Sequence, residues 1–336
     1  MKKSGIAFLL FIILAALIIY LYFYSQHRPG NHGKKQTPTP ASSQNLAQYG
    51  KMCADAIASV PAFSCLDGEV IPITVNGSTP ATYTPNMDCD KPPLLPLGQQ
   101  GQCIPYSRVL NFSKGPNQIV VGCRRKVIRD KNSPYFDEID IISHNIGTGA
   151  TCWYQALAND ETKGLDGTKV PSPDQATPPP GYPDPMTFWQ SPAQVAGENC
   201  GGCHDNDPFM YSPYMGQVWN KVPTDPFGWY QHLGPDFAGW KTVSVSTPNN
   251  ACVGCHRMGL SFTSGQGTKE ATGMVPIKNA DDWAKQYPQS HWMPPDNFHS
   301  QLQWQTIYQK SVQALLACHD EPTLPDCIVT PIKSIK

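Results

Sequence analysis

The sequence has few charged residues and no basic run. Only 15% of its 336 residues are Asp, Glu, Lys or Arg, and the formal net charge is −1. Without a Lys- or Arg-rich segment, the chain lacks the electrostatic footprint by which proteins bind nucleic acid. The 34 Pro and 27 Gly residues are typical of a loop-rich globular protein and argue against a helical bundle.

One long apolar run lies at the N-terminus, at Ile6–Tyr24. At ~1.5 Å per helical residue, it is long enough to cross a hydrocarbon core of ~30 Å. A cleavable signal peptide would have a shorter apolar region, followed by small residues at a cleavage site. Lys2 and Lys3 precede the run and would stay in the cytoplasm. The sequence therefore predicts an N-terminal transmembrane helix at 1–24 and a single-pass inner-membrane protein, mostly on the periplasmic side. A cleaved signal peptide is the alternative.

The composition of the chain then changes twice, first to a polar segment and then to a segment with β-branched runs. Residues 25–45 are polar and Pro-rich, and we interpret them as a flexible linker. In residues 46–185, β-branched runs at 70–75, 117–128 and 136–145 alternate with turn-forming clusters. This pattern predicts a small β-rich domain, in which no nucleophile–base arrangement and no carboxylate pair of defined spacing indicates catalysis.

A Pro-rich segment at 166–186 indicates a domain boundary. Aromatic residues become dense from residue 187 onward, which predicts a second domain at 186–336. Its clearest helix is predicted from about Ser300 to Ala317, where apolar residues recur at spacings of three and four.

The 12 cysteines divide into two groups. Eight show no motif and fit the disulfides of an exported protein. The six of these that lie in 46–185 allow 15 connectivities, and pairing of sequence neighbours is the simplest expectation. The predicted disulfides are Cys53–Cys65, Cys89–Cys103, Cys123–Cys152 and, near the C-terminus, Cys318–Cys327.

The other four cysteines form the same motif twice, "CGGCH" at 200–204 and "CVGCH" at 252–256. Cys-x-x-Cys-His is the attachment signature of c-type haem. Two thiols bond to the two haem vinyl groups, and the adjacent imidazole becomes an axial ligand of the iron. We therefore expect two covalent haem c groups. Cys200 and Cys203 would hold the first and Cys252 and Cys255 the second, with His204 and His256 as iron ligands.

Three other interpretations of the motif compete with haem attachment. A structural zinc site would use closer Cys pairs, about 15–20 residues apart, and needs no His after each pair. A redox dithiol would lie in a βαβ context, which the sequence does not indicate. Plain disulfides seldom use this spacing.

Residues 187–320 resemble a di-haem c-type cytochrome. The resemblance rests on both motifs, on "HWMPPD" at 291–296 and on the stretch "CGGCHDNDPFMYSPYMGQVW", which is similar to exported bacterial cytochromes. It implies a mostly helical, loop-rich di-haem cytochrome c domain. Together with the small disulfide-rich β domain expected at 46–185 from its own sequence pattern, this gives an α+β fold class. The resemblance also implies a Met next to proline, Met293, as the distal ligand of a haem.

Distal ligands remain open between several residues. Met293 is expected for the second haem, with His291 and His299 as rivals, and the alternative is a Met that fills an aromatic core. For the first haem the main candidate is His232, because it is far enough from His204 to reach the other haem face. Met215 and His144 are its rivals.

The expected function is electron transfer between redox partner proteins by a membrane-tethered carrier. One alternative is a haem enzyme, similar to a di-haem peroxidase, with one open iron. The short interval between the two motifs departs from the pattern of that family. A redox or gas sensor, or a subunit of a larger electron-transfer complex, is the third possibility.

Overall fold

The computed structural model describes residues 44–85, 87–91, 103–160, 162–210, 213–218, 227–268 and 301–332. The predicted transmembrane helix, almost all of the predicted linker, and Met293 lie outside them. No helix within these ranges is both long and apolar enough to cross a bilayer.

A six-stranded sheet lies at the centre of the described structure. Its order is β1-β2-β3-β5-β6-β8, antiparallel throughout except for the parallel pair β6 and β8. Two small antiparallel pairs, β4 with β7 and β9 with β10, complete the strands. The strands are β1 Glu69–Val70, β2 Arg108–Asn111, β3 Asn117–Arg124, β4 Tyr135–Phe136, β5 Glu138–Asn145, β6 Ala150–Leu157, β7 Leu165–Asp166, β8 Gln231–His232, β9 Val243–Ser246 and β10 Ile328–Pro331.

The helices are mostly short and lie around this sheet. They are α1 Leu46–Ala56, α2 Pro185–Phe188, α3 Pro192–Gly197, α4 Cys200–Cys203, α5 Pro213–Gly216 and α6 Gln301–Asp320. Short 3₁₀ segments lie at Cys65–Asp67 and Pro235–Phe237, and a π-helical turn at Thr263–Gly267.

The hairpin between β5 and β6 shows how local sequence builds the sheet. The Asn145 side chain accepts hydrogen bonds from two backbone N–H groups of the turn, and Gly149 ends the turn with a φ of +78°. A Cβ on Gly149 would lie 2.6 Å from the backbone of Trp229 and Tyr230. Glycine at this position therefore lets the later chain approach the edge of β6, where β8 pairs.

Helix α1 covers the sheet next to β6. Asn45 begins the helix with a reciprocal capping box to Gln48. Tyr49 and Cys53 are buried, and the Tyr49 hydroxyl accepts a hydrogen bond of 2.9 Å from the backbone N–H of Trp153. Tyr49 of α1 packs against Tyr154 on one face of β6, and Trp153 packs against His204 and Trp240 on the other, so nearly every β6 side chain is buried.

Four disulfides are present, and two of the four predicted pairings are wrong. The structure pairs Cys53 with Cys152 and Cys65 with Cys123, and it confirms Cys89–Cys103 and Cys318–Cys327. The sheet explains the error. Cys123 lies on β3 and Cys152 on β6, with β5 between them. Two strand spacings of ~4.8 Å exceed the ~7 Å limit for the Cα atoms of a disulfide.

The predicted fold class is also wrong for the C-terminal part. Among the described residues after 186, the helices before α6 have only four to six residues each, so this part is not mostly helical. The fold is a mixed α+β structure with a large sheet and few helices. Frequent Pro and Gly end these helices early, and a sustained helical period occurs only at α6.

The sheet and its core include both predicted domains. Strand β8, from the predicted second domain, extends the sheet of the first. A second apolar cluster likewise packs Phe209 and Val218 against Val109 and Val120 of the sheet. The described residues all belong to one compact unit, Ser43–Lys336. Separate domains therefore stay a prediction.

Candidate functional site

The cysteines separate in the structure as they do in the sequence. The eight without a motif all form disulfides. The cysteines outside disulfides are Cys200, Cys203, Cys252 and Cys255, which are those of the two Cys-x-x-Cys-His motifs. Neither motif closes into a disulfide of its own.

The first motif begins with a short helical turn. Asn199 precedes it with a φ of 57°, in the left-handed region that Asn adopts more readily than most residues. The backbone N–H of His204 then donates to the carbonyl of Cys200 over 2.8 Å. This turn puts half-buried Cys200 and exposed Cys203 on the same side, one helical turn apart, with His204 next to them.

The tautomer of His204 is set by a backbone carbonyl. Its Nδ1 lies 2.9 Å from the carbonyl oxygen of Pro208, which can only accept, so Nδ1 carries the proton and Nε2 the lone pair. Burial lowers the pKa of His204 to about 4, although the Pro208 carbonyl acts in the opposite direction. The imidazole is therefore neutral at neutral pH. Histidines that bind metal through Nε2 usually have this arrangement.

Aromatic side chains border the motif and form what we call the aromatic wall: Trp153, Tyr230 and Trp240. The ring of Trp153 lies 5.1 Å from that of His204 and 5.7 Å from that of Trp240. The Tyr230 hydroxyl donates to the His204 carbonyl over 2.7 Å. A Cβ on Gly201 would lie 2.6 Å from Trp240 ring atoms, so the motif packs directly on the wall.

His232 belongs to the same cluster. Its pairing with Thr151 in the parallel β6–β8 ladder puts it beside Trp153, whose indole N–H donates to His232 Nδ1 over 2.9 Å. Burial lowers the pKa of His232 to about 3, and nearby His204 adds to this. Its Nε2 is buried and has no hydrogen-bond partner among the described residues.

A pair of carboxyl groups lies near Cys200. Glu138 and Asp140 share one face of β5, and the Gln155 amide donates to both, over 3.2 and 3.0 Å. Burial and the neighbouring Glu138 raise the pKa of Asp140 well above its usual value. Burial acts to raise the pKa of Glu138 as well, but the positive charge of Arg124 contributes to a lower value overall. Burial, then Asp140 and Glu138, raise the pKa of the Cys200 thiol to about 12.

The second motif is a turn and not a helix. The backbone N–H groups of Cys255 and His256 both donate to the carbonyl of Cys252, over 3.2 and 2.9 Å. Cys252 is half-buried, whereas Cys255 and His256 are exposed. Burial raises the pKa of the Cys252 thiol.

Helix α6 holds this second turn in place. Ser311, buried in the helix, accepts a hydrogen bond of 2.9 Å from the backbone N–H of Ala251. The Asn250 side chain donates to the Ser311 carbonyl over 3.0 Å and accepts from the backbone N–H of Cys252. Cys252 also packs against a small core that contains Leu315.

The two motifs are connected through the segments that follow them. Asp205, directly after the first motif, accepts hydrogen bonds from the backbone N–H of Ser261 over 2.7 Å and from the Thr263 hydroxyl over 3.0 Å. Arg257, directly after the second motif, lies 3.7 Å from the carboxylate of Asp207. The motifs therefore share one polar and well-packed region.

The remaining predicted ligands fall in two groups. Met293, His291 and His299 lie outside the described residues. Met215 is half-buried against the second apolar cluster. His144 is buried on β5, and its Nδ1 lies 2.8 Å from the hydroxyl of Thr151.

Trp153 and the Glu138–Asp140 pair were not expected from the sequence. Trp153 lies far before the first motif and reaches it only because β6 pairs with β8. The carboxyl pair did have a sequence signal, since "EID" puts two acids at spacing two in a predicted strand, where they share a face.

The described residues contain no group of three or more His, Cys, Asp or Glu side chains that could hold a metal ion. The chain matched none of the protein families, curated proteins or solved structures with which it was compared.

Proposed function

We propose that the chain is an electron-transfer protein with two covalently attached haem c groups. One observation carries this proposal. The four cysteines outside disulfides all belong to Cys-x-x-Cys-His motifs, while the other eight pair with one another. Eight cysteines in disulfides and four outside them are consistent with a separate use for the four, and thioether bonds to haem are such a use.

The donor set fits this group. At each motif, a haem would need two thiols and one imidazole from the protein, because the porphyrin itself supplies the remaining nitrogen ligands of the iron. His204 is neutral and holds its proton on Nδ1, so its Nε2 has the lone pair that would hold the iron of the first haem. His256 has the same position in the second motif. Met293 stays the distal ligand predicted from the sequence for the second haem, and His232 lies beside the first motif.

The residues around the first motif would adjust the reduction potential of a haem bound there. Bound haem would supply reversible one-electron chemistry. The aromatic wall covers one side of the first motif beside His204, and the Pro208 carbonyl orients His204. Burial and hydrogen bonding of this kind are two factors that set the potential of a haem iron. The contacts of Asp205 and Arg257 hold the two motifs in one region, which supports electron exchange between neighbouring haems.

Location and partners rest on the sequence. The apolar run Ile6–Tyr24 would hold the chain at the inner membrane, with its bulk on the extracytoplasmic side. Redox proteins are the proposed partners, because a tethered head meets them at high effective concentration.

The test is to count covalent haem per chain in the full-length protein, produced in cells that attach haem c, followed by a redox titration. Two haems that accept one electron each are expected. Matched variants, Cys203→Ala and Cys255→Ala, should each lower the number of haems held by two thioether bonds to one. Fewer than two haems in the unmodified chain would contradict the proposal.

A further inference from the structure

The hydrogen bond between Trp153 and His232 determines which nitrogen of His232 carries a proton. An indole N–H can only donate, so Nδ1 of His232, at 2.9 Å, must present its lone pair. A neutral imidazole has one proton, which is then on Nε2. This is the opposite tautomer to that of His204, whose Nδ1 donates to the Pro208 carbonyl.

This tautomer is incompatible with iron coordination through Nε2, because a metal ligand needs a lone pair at that atom. A shift of the proton to Nδ1 would leave two N–H groups facing each other, those of Trp153 and His232. The packing opposes such a change, since Trp153 is only 4% exposed and Tyr230 and Trp240 flank His232 with ring centroids at 4.8 and 5.2 Å.

The Nε2–H group of His232 nevertheless has the properties of a donor that needs a hydrogen-bond acceptor. It is buried and has no acceptor among the described residues, and a buried donor without an acceptor is costly. His232 lies in the cluster that borders the first motif, because both His204 and His232 contact the Trp153 ring. An acceptor brought in at this motif would complete the hydrogen bond.

We propose that His232 is a hydrogen-bond donor at the first haem site and not an iron ligand, and that its Nε2–H serves an oxygen acceptor. Two sources share this chemistry: a small oxygen-containing or diatomic ligand on the iron, and a carboxylate of the haem itself. The inference rests on the proposed function, since it requires a haem at Cys200 and Cys203. It replaces the distal role predicted for His232 from the sequence.

Three variants of the full-length, haem-loaded chain distinguish a donor from a ligand. His232→Gln keeps an N–H donor, His232→Met keeps a potential iron ligand, and His232→Ala keeps neither. Haem is counted first in each protein, so a failure of the proposed function appears as missing haem. The spin state, the midpoint potentials and the carbon monoxide complex are then measured by absorption and infrared spectroscopy.

If His232 is a donor, the spin state of both haems stays that of the unmodified protein in all three variants. For an iron-bound acceptor, His232→Ala shifts the C–O stretching band of half the haem and speeds carbon monoxide release about tenfold, as expected for one lost hydrogen bond. For a haem carboxylate, the band is unchanged and the midpoint potential of one haem shifts. His232→Gln should restore the original value in either case.

Two results would overturn the inference. In the first, Ala and Gln variants both convert half the haem to the high-spin form while the Met variant stays low-spin, which would identify His232 as a ligand. In the second, all three variants equal the unmodified protein in every readout, which would leave His232 without a role at the haem.

A second measurement is independent of haem. In the full-length chain produced without haem attachment, nitrogen-15 spectra of labelled histidines report each tautomer. We expect His232 to carry its proton on Nε2 and His204 on Nδ1, with His232→Gln used to assign the signal. A proton on Nδ1 of His232 would also overturn the inference.

Discussion

Gly201 packs directly on the aromatic wall. In Gly201→Ala, the new Cβ would lie 2.6 Å from Trp240 ring atoms, so the half-buried ring or the motif must move. Overpacking of this kind costs about 1–3 kcal/mol of unfolding free energy. Urea denaturation of the haem-free chain measures it. Gly254→Ala in the second motif is the matched control, because a Cβ there meets no atom within 4 Å.

Asp140 should give the protein a specific dependence on pH. Its raised pKa means that the folded chain binds this proton more tightly than the unfolded chain. Stability therefore falls as the pH rises from the ordinary Asp value of about 3.9 towards the raised value. Asp140→Asn cannot titrate, and its amide can still donate to Glu138. We expect its unfolding free energy to fall less than that of the unmodified protein over this range.

Urea titrations at several pH values test this expectation. Asp160→Asn is a suitable control, because Asp160 is exposed and is not part of the pair. Parallel pH profiles for the Asp140→Asn and unmodified proteins would show that Asp140 is ionised in the folded state.

At the scale of elements, helix α6 supports the second motif through one side chain. Ser311→Ala removes the acceptor of the Ala251 N–H, and loss of one partly buried hydrogen bond costs about 0.5–1.5 kcal/mol. We expect a lower urea midpoint and faster amide exchange at Cys252–His256. The control is Gln313→Ala, which changes an exposed side chain of the same helix. Equal losses in both variants would contradict a specific role for Ser311.

The disulfide between α1 and β6 should contribute more stability than the one near the C-terminus. Cys53 and Cys152 are 99 residues apart, whereas Cys318 and Cys327 are nine apart. In the chain-entropy model, closing a loop of about 100 residues is worth ~4.7 kcal/mol, and shorter loops are worth less. Replacing the first pair with Ala should therefore lower the unfolding free energy more than replacing the second, as measured in urea.

The elements that sequence predicted well are those with local signals. Strands β3 and β5 and helix α6 have clear periodicity, and Cys89–Cys103 and Cys318–Cys327 are close in sequence. Strand β8 has only two residues and exists because β6 offers an edge. The cysteines and histidines of the motifs were predicted as haem-binding residues from spacing alone, and this role stays a prediction. The tautomer of His232 was not, because it depends on Trp153, which only the fold brings near.

At the scale of the whole molecule, the region after residue 186 depends on the region before it. Trp153 packs beside His204 of the first motif, and β8 pairs only with β6 in the described sheet. We therefore expect a fragment of residues 187–336 to lack a cooperative thermal transition and near-ultraviolet circular dichroism. The chain from residue 44 onward, produced in the same way, is the control. A fragment that unfolds cooperatively would instead support two separate domains.

The three disulfides of the N-terminal half are nested, with Cys89–Cys103 inside Cys65–Cys123, and both inside Cys53–Cys152. If the chain is exported as proposed, Cys53 and then Cys65 would emerge first, and they are not partners. Oxidation in the order of emergence would form a wrong bond between them. Of the three bonds, only Cys89–Cys103 joins cysteines that are consecutive in the sequence. We therefore expect that formation of the other two depends on a thiol–disulfide isomerase.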